Sequence, residues 1–463
     1  MKACSQKHPV LRPIHRRLWL VCLFIGLMLN GWIPTKLHAQ NVQSSTEIAP
    51  TAQTKNTGDA QIPDYNILSN SDEAAFKFSG FGTLGVTYNT SQKFDYLRDL
   101  LQTKGVGFSR RFDLGVDSLL GLQLSGSIND YLDATVQTVV RRGNRNLQPD
   151  LSWGFFKYFP NDNLDLRLGR MGFDVYPLAD SRNVAYSYTW VRPPVEYFGG
   201  LIVSYIDGAD LVYKYAVDAN QVKIKLFAGR ANERILVQSP DIYFSLKGAK
   251  IWGGHLEFQS QNWLTRLGYT SLRFNQNFVS IQGLIDALQS PLFVQISPTA
   301  PKLGENLSFK NKEIHYLSAG VVYDDGPLQA QLMLSRLHSQ TLSFNSNVAA
   351  FFTLAYRLRS WTPYFTLAKT RPLNSKNVNT GLPAHVHPAI DQVEAGIQGF
   401  LKATRNEQNS MSVGLRYNLN QTSDIKFQLD HLHNQERLII RNAQPNWDGK
   451  ANILSVSYNF IFN

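Results

Sequence analysis

The feature that most constrains this chain is a period of two that runs through nearly all of it. In a β-strand successive side chains point to opposite faces, so alternate residues share a side. Leu120, Leu122 and Leu124 share one face while Gln123 and Ser125 take the other. Leu164, Leu166 and Leu168 oppose Asp165 and Arg167 in the same way. Met411, Val413, Leu415 and Tyr417 oppose Ser412, Gly414 and Arg416, and Leu454, Val456, Tyr458, Phe460 and Phe462 oppose Ser455 and Ser457. The pattern predicts an all-β protein whose strands are apolar on one face and polar or small on the other. Sixteen such runs can be placed, from 77–89, 112–128 and 131–142 to 410–419, 424–433 and 450–462.

Connection lengths separate a soluble sandwich from a membrane barrel. Every second connection is short and turn-like: Asn129-Asp130, Pro160-Asn161-Asp162, Asp218-Ala219-Asn220, Asp324-Asp325-Gly326-Pro327 and Gln421-Thr422-Ser423. The intervening ones are mostly long, over 90–111, 173–205, 230–247, 274–311, 371–409 and 434–449. An outer-membrane barrel has an even number of antiparallel strands, with short turns at one end and long loops at the other. Backbone groups in hydrocarbon must all be paired, so a β protein there has to close its edges. The expected architecture is a transmembrane antiparallel up-and-down barrel over 77–463. Trp153, Tyr158, Trp252, Trp263 and Trp361 lie near strand ends and suit aromatic girdles at the membrane boundaries.

The N-terminus alters the charge reading. Residues 1–17 carry Lys2, Lys7, Arg12, Arg16 and Arg17 and no acid, and Leu18 to Leu29 is an apolar run too short to span a bilayer as a helix. Leu37-His38-Ala39 then completes the layout of a secretory signal peptide, expected over 1–39. Its loss would take six of the 46 Lys and Arg, leaving 40 against 35 Asp and Glu, or +5 in place of +11. Cys4 and Cys22 would go with it, which excludes a disulfide framework or a thiol nucleophile in the mature chain. With most of the basicity assigned to targeting, nucleic acid is not an expected partner. Residues 40–76, rich in Gln, Asn, Ser and Thr, are expected to form a flexible polar segment.

Two stretches carry a family resemblance. The hairpin from Asp117 to Gln137 (DSLLGLQLSGSINDYLDATVQ) and the long aromatic connection 173–205 after the fifth strand are similar to those of the 16-stranded Gram-negative general porins. The chain departs from that family in ending Phe462-Asn463 and in placing Arg141 and Arg142 after Gln137. The resemblance implies that 173–205 folds inward and narrows a pore, with Asp174, Asp180, Arg182, Arg192 and Glu196 at the constriction. It also implies a homotrimer in outer-membrane lipid that passes small hydrophilic solutes or ions. The lumen wall would carry Arg167, Lys214, Lys223, Lys225, Arg266, Arg357, Arg416 and Lys426 against Asp165, Glu257 and Asp430, an excess that predicts a mild anion preference. A channel specific for a sugar or organic acid, and a structural or adhesive barrel without a pore, are the alternatives.

Other signals point away from chemistry. Gly80-x-Gly82-x-x-Gly85 has the spacing of a dinucleotide fingerprint but lies in an alternating strand with no helix after it, so glycine packing is the better reading. His385-x-His387 and His431-x-His433 lack a third ligand at metal-site spacing. No nucleophile, base and orienting group can be tied together, so neither an enzyme nor a cofactor is expected. Val279 to Leu292 and Tyr96 to Leu101 have helical periods and are expected to be short loop helices.

Overall fold

A computed structural model of the protein describes residues 76–463, except 143–146, 180, 239–241, 375–377, 384 and 438. The expected signal peptide and nearly all of the polar segment lie outside the described residues.

Sixteen long strands form the wall. In chain order they are β1 (Phe76–Asn89), β2 (Leu119–Asn129), β3 (Leu132–Arg142), β4 (Leu147–Asn161), β5 (Leu164–Gly172), β6 (Tyr205–Val217), β7 (Asn220–Ala231) and β8 (Ala249–Gln259). Then come β9 (Trp263–Arg273), β10 (Glu313–Asp325), β11 (Leu328–Ser339), β12 (Asn347–Tyr356), β13 (Trp361–Pro372), β14 (Asn406–Asn418), β15 (Ser423–Arg437) and β16 (Lys450–Phe462). Each strand is antiparallel to the next, and β16 returns to β1 with Gly80 opposite Phe462 and Asn89 opposite Ile453. The ladder closes on itself and leaves no free edge, as hydrocarbon requires.

Side-chain exposure is inverted relative to a soluble protein. Leu84, Leu168 and Leu226 are 65%, 66% and 59% exposed, while Lys426, Ser457 and Asn459 are 0% exposed. The period of two therefore sorts an exposed apolar face from a buried polar one. Tyr158, Trp252, Trp263 and Trp361 lie on the exposed face. Trp153 differs: it is half-buried against Gly172, next to the bulge at Gln137 and Thr138 that shifts the β3–β4 register.

The glycine run of β1 serves the seam. A Cβ on Gly80 would collide with the Phe462 ring, and one on Gly82 with the Phe460 ring. Those two rings fit over β1 only because nothing projects there, and a Cβ on Gly85 would meet Asp117, which accounts for the spacing without any phosphate.

Differences from the expected elements are local. β2 starts at Leu119, seven residues late. Phe112–Asp113 makes only a two-residue pairing with β1 before the chain turns, the Gly115 amide donating to Asp113 at 2.6 Å. Tyr96 to Leu101 is not helical: Asp95–Tyr96 pairs with Val106–Gly107 and Ile440–Arg441 in a small sheet. The connection after β9 holds three helices, α1 (Val279–Leu288), α2 (Pro291–Ile296) and α3 (Ala300–Leu307), with Pro291 ending the single helix expected to Leu292. A further helix, α4 (Pro388–Ala403), follows β13. Its N-cap is His387, whose Nδ1 accepts from the Ala389 amide at 3.1 Å. Among the described residues no group of three or more His, Cys, Asp or Glu is arranged to hold a metal ion.

Candidate channel constriction

The connection between β5 and β6 is the long aromatic segment singled out in the sequence. Among its described residues the regular pieces are a 3-10 turn, Ala185–Ser187, and a single helical turn, Val195–Phe198. Prolines at 193 and 194 keep the chain from continuing a helix upstream of Val195. With few internal ladder bonds, its polar groups must find partners elsewhere. They find them on the polar faces of strands spread around the wall.

Three of the cations that hold it make more than one bond each. Arg266 of β9 donates from Nη1 to the carbonyls of Asp174 and Tyr176 at 3.1 and 3.0 Å. Lys426 of β15 donates to the carbonyls of Ala185, at 2.5 Å, Tyr188 and Trp190, at 3.0 Å. An ammonium has three donors, and here three carbonyls of the stretch 185–190 meet them, the first of which also accepts from the Tyr188 amide at 3.3 Å. The third cation comes from the segment itself. Arg192, 1% exposed, reaches Asp117 from Nε at 2.9 Å and from Nη2 at 2.6 Å, and Asp430 of β15 from Nη1 at 2.9 Å. It also donates to Thr87 at 3.2 Å and to Ser455. Burial lowers the Arg192 pKa, but Asp117, Tyr96 and Asp430 together more than offset this and the group is held well above its ordinary value. Burial likewise raises that of Asp117, and Arg192 brings it below the usual carboxylate range.

Neutral contacts fill the gaps. Trp190 Nε1 donates to Thr353 of β12 at 3.0 Å and Thr366 of β13 at 3.1 Å, while its ring meets Phe351 edge-on. The Val191 amide donates to Gln428 at 2.9 Å, and Thr189 to Gln329 at 2.9 Å. Ser318 of β10 donates to the Val175 carbonyl at 2.8 Å. Segment 173–204 thus contacts the polar faces of β1, β7, β9 to β16 and the turn before β2.

The residues expected at a constriction do not converge on one point. Asp174 pairs with Lys225 of β7 at 2.7 Å. Burial pushes its carboxyl up, but Lys225, His255 and Arg266 together hold it well below the usual range. Arg182 Nη2 donates to the Ser204 carbonyl at 2.6 Å. Glu196 accepts from Gln408 of β14 at 2.8 Å, and burial leaves its pKa raised. Arg192 and Glu196 line one small pocket with Tyr96, Asp430 and Gln408. Asp180 lies outside the described residues.

Each expected wall base has a carboxylate within reach. Arg167 pairs with Asp210 at 2.5 Å, Lys214 with Asp165 at 2.8 Å, and Lys223 with Glu257 at 3.5 Å. Lys225 also meets Asp210 at 3.0 Å; Arg266 pairs with Glu257, Arg357 with Asp324 at 2.6 Å, and Arg416 with Asp424 at 3.1 Å. Sequence phasing missed Asp210, Asp324 and Asp424 as wall acids, although each alternates with the apolar face of its strand. It also missed Asp117, Trp190, Thr353 and Thr366. Threonines carry little signal because they suit either face of a strand.

No family model matches the chain, and no curated protein matches it. Solved structures do. The chain is similar to the anion-selective porin from Comamonas acidovorans, at 12% identity and TM-score 0.50, over 84% of this chain and 100% of that one. It is also similar to the outer membrane channel DcaP of Acinetobacter baumannii (10%, 0.48, 84% and 97%) and to Pseudomonas putida OprB (11%, 0.48, 84% and 94%). A closed antiparallel barrel of sixteen strands, apolar outside and polar within, is the fold of the outer-membrane porins.

Proposed function

We propose that the protein is an outer-membrane channel for passive diffusion of small hydrophilic solutes, with segment 173–204 folded inward as its constriction. One observation carries this reading: a closed barrel with an exposed apolar face, whose buried polar face is bonded to a single long connection from opposite sides. A wall of that kind gives lipid nothing to hydrogen-bond and gives water a polar path. The structural similarity to porins supports the same reading.

The paired wall charges bear on selectivity. A base neutralised by a carboxylate a few ångströms away contributes little net field along a pore. The channel is therefore weakly selective, with any anion preference small. Its homotrimeric state follows from the general-porin resemblance and is part of the same proposal. Planar-bilayer recordings of the folded protein test it. Stepwise conductance with a reversal potential near zero in a KCl gradient is expected. Silence at all voltages would instead favour a structural barrel without a pore.

A further inference from the structure

One stretch of the inward face departs from its polar rule. Trp153, Phe155, Lys157 and Phe159 of β4 alternate with the exposed Phe156 and Tyr158, so they share the side that faces the lumen. Six steps at about 3.3 Å each spread the three rings over roughly 20 Å of strand. The Trp153 and Phe155 rings lie 6.4 Å apart. Arg167 of β5 sits over the Phe155 ring at 5.1 Å, and the Lys157 ammonium over that of Phe159 at 5.3 Å. Aromatic rings and charged groups therefore alternate along one line.

These rings stay partly open, unlike inward rings on the far wall. Phe351 and Tyr364 are only 2% and 5% exposed, the former packed against Trp190 of segment 173–204. Trp153, Phe155 and Phe159 are each half-buried, and the side chains of Lys157 and Arg167 between them are 26% and 24% exposed. At the long-loop end Trp153 also lines a small polar pocket with Arg141, Asp150, Ser152 and Asn183. The side of the lumen that the segment leaves open is thus the side that carries the rings. Water and simple ions gain nothing from apolar rings on their path; a solute with an apolar face of its own does.

The charged groups beside the rings narrow the solute's chemistry. Lys157 and Lys214 share Asp165 at 3.5 and 2.8 Å, and Arg167 holds Asp210 at 2.5 Å. Donors and carboxylate acceptors therefore sit side by side, and their charges largely cancel. A carboxylate solute only accepts, and would have to displace Asp165 or Asp210 from its cation. A hydroxyl both donates and accepts, and suits such a mixed row without breaking it. A sugar ring combines the two demands: its C–H face is apolar and matches the negative face of an aromatic ring, while its rim is a circle of hydroxyls.

We propose that Trp153, Phe155 and Phe159, with the ion pairs beside them, form a binding track for a neutral linear oligosaccharide. This rests on the channel reading above and names its solute class. Maltopentaose, cellopentaose, benzoate and a polyethylene glycol of matched mass are the probes, on the full folded chain. In planar bilayers one or both glucans should interrupt the KCl current in a saturable way, and calorimetric titration in detergent should show the same binding without need of conductance. The polyethylene glycol should do neither, and benzoate should bind more weakly than the better glucan. F155L/F159L, which keeps apolar volume and loses the rings, should weaken glucan binding about tenfold, and F155Y/F159Y should restore it. Should F155L/F159L not fold, glucan against polyethylene glycol on the unaltered chain decides. A silent barrel that still binds glucan by calorimetry would remove the channel reading and support the track. A conducting barrel without saturable binding of either glucan, undiminished binding by folded F155L/F159L, or tighter binding of benzoate would each overturn the track and leave the channel standing.

Discussion

Replacing Arg192 with Met tests how segment 173–204 is held. The guanidinium is fully buried and is the sole ion-pair partner of Asp430 among the described residues, whereas Asp117 keeps Arg98 at 4.0 Å. Arg192→Met therefore strands one buried carboxylate, that of Asp430, which is 5% exposed. Removing one partner of such a pair costs about 3–5 kcal/mol. At roughly 1.4 kcal/mol per factor of ten, the bound arrangement of residues 189–196 loses about a hundred- to several-thousandfold in its equilibrium with released forms. Lys426 and Arg266 still hold the segment upstream, so the release is local and the barrel stays closed. Two readouts follow: a larger single-channel conductance, and new chymotryptic cleavage at Trp190 or Tyr197, both buried in the intact protein. Arg192→Met/Asp430→Asn should recover much of the wild-type behaviour, because a neutral amide leaves no stranded charge. An R192M barrel that migrates normally on gels, yet shows unchanged conductance and no new cleavage, would refute the reasoning.

Two further expectations follow from local geometry. Glu233, beside the junction of the segment with β6, accepts from the amide and hydroxyl of Ser204, and burial pushes its carboxyl up to about 7. Because the folded value is raised, its contribution is complete below pH ~4.5 and is lost as pH rises through 7; the heat-denaturation midpoint should fall between pH 5 and 8, and E233Q should flatten that dependence. Gly414 faces the Tyr364 ring, with a Cβ there only 2.1 Å from Tyr364 Cζ, and that hydroxyl donates to Gln428 at 2.8 Å. G414V should displace the ring and destabilise the barrel by about 1–3 kcal/mol, seen as a lower heat-denaturation midpoint, while an unchanged midpoint would show that the ring has room to move.

What was legible in the sequence was whatever repeats locally. Alternation is a property of neighbouring residues, so Leu164 to Leu168 and Leu454 to Phe462 declare their faces without knowledge of any partner strand. Turn residues such as Asp218-Ala219-Asn220 and Asp324-Asp325-Gly326 mark hairpin ends for the same reason, and the alternation of short and long connections then implies closure. The long segment between β5 and β6 could be singled out by length and aromatic content alone.

Which residues meet it could not. Arg192 is separated in sequence from Asp117 by 75 residues and from Asp430 by 238, and only closure of the barrel brings those carboxylates together. Lys426 looked like one more wall base; the tertiary structure makes it a clamp, because the inward-folded stretch 185–190 brings the carbonyls of Ala185, Tyr188 and Trp190 to it. The sequence count of wall bases against acids failed to anticipate pairing for a related reason: Asp210 and Arg167 neutralise each other across β5 and β6, a matter of register and not of spacing. The adjacency of Arg230, Lys250 and Arg273 is likewise invisible along the chain, since those residues become neighbours only when three strands align. By itself the sequence determined a period, a strand order and an apolar surface. Register, closure and the long-range pairing of buried charges decided the rest, because they depend on contacts between segments that local propensity does not encode.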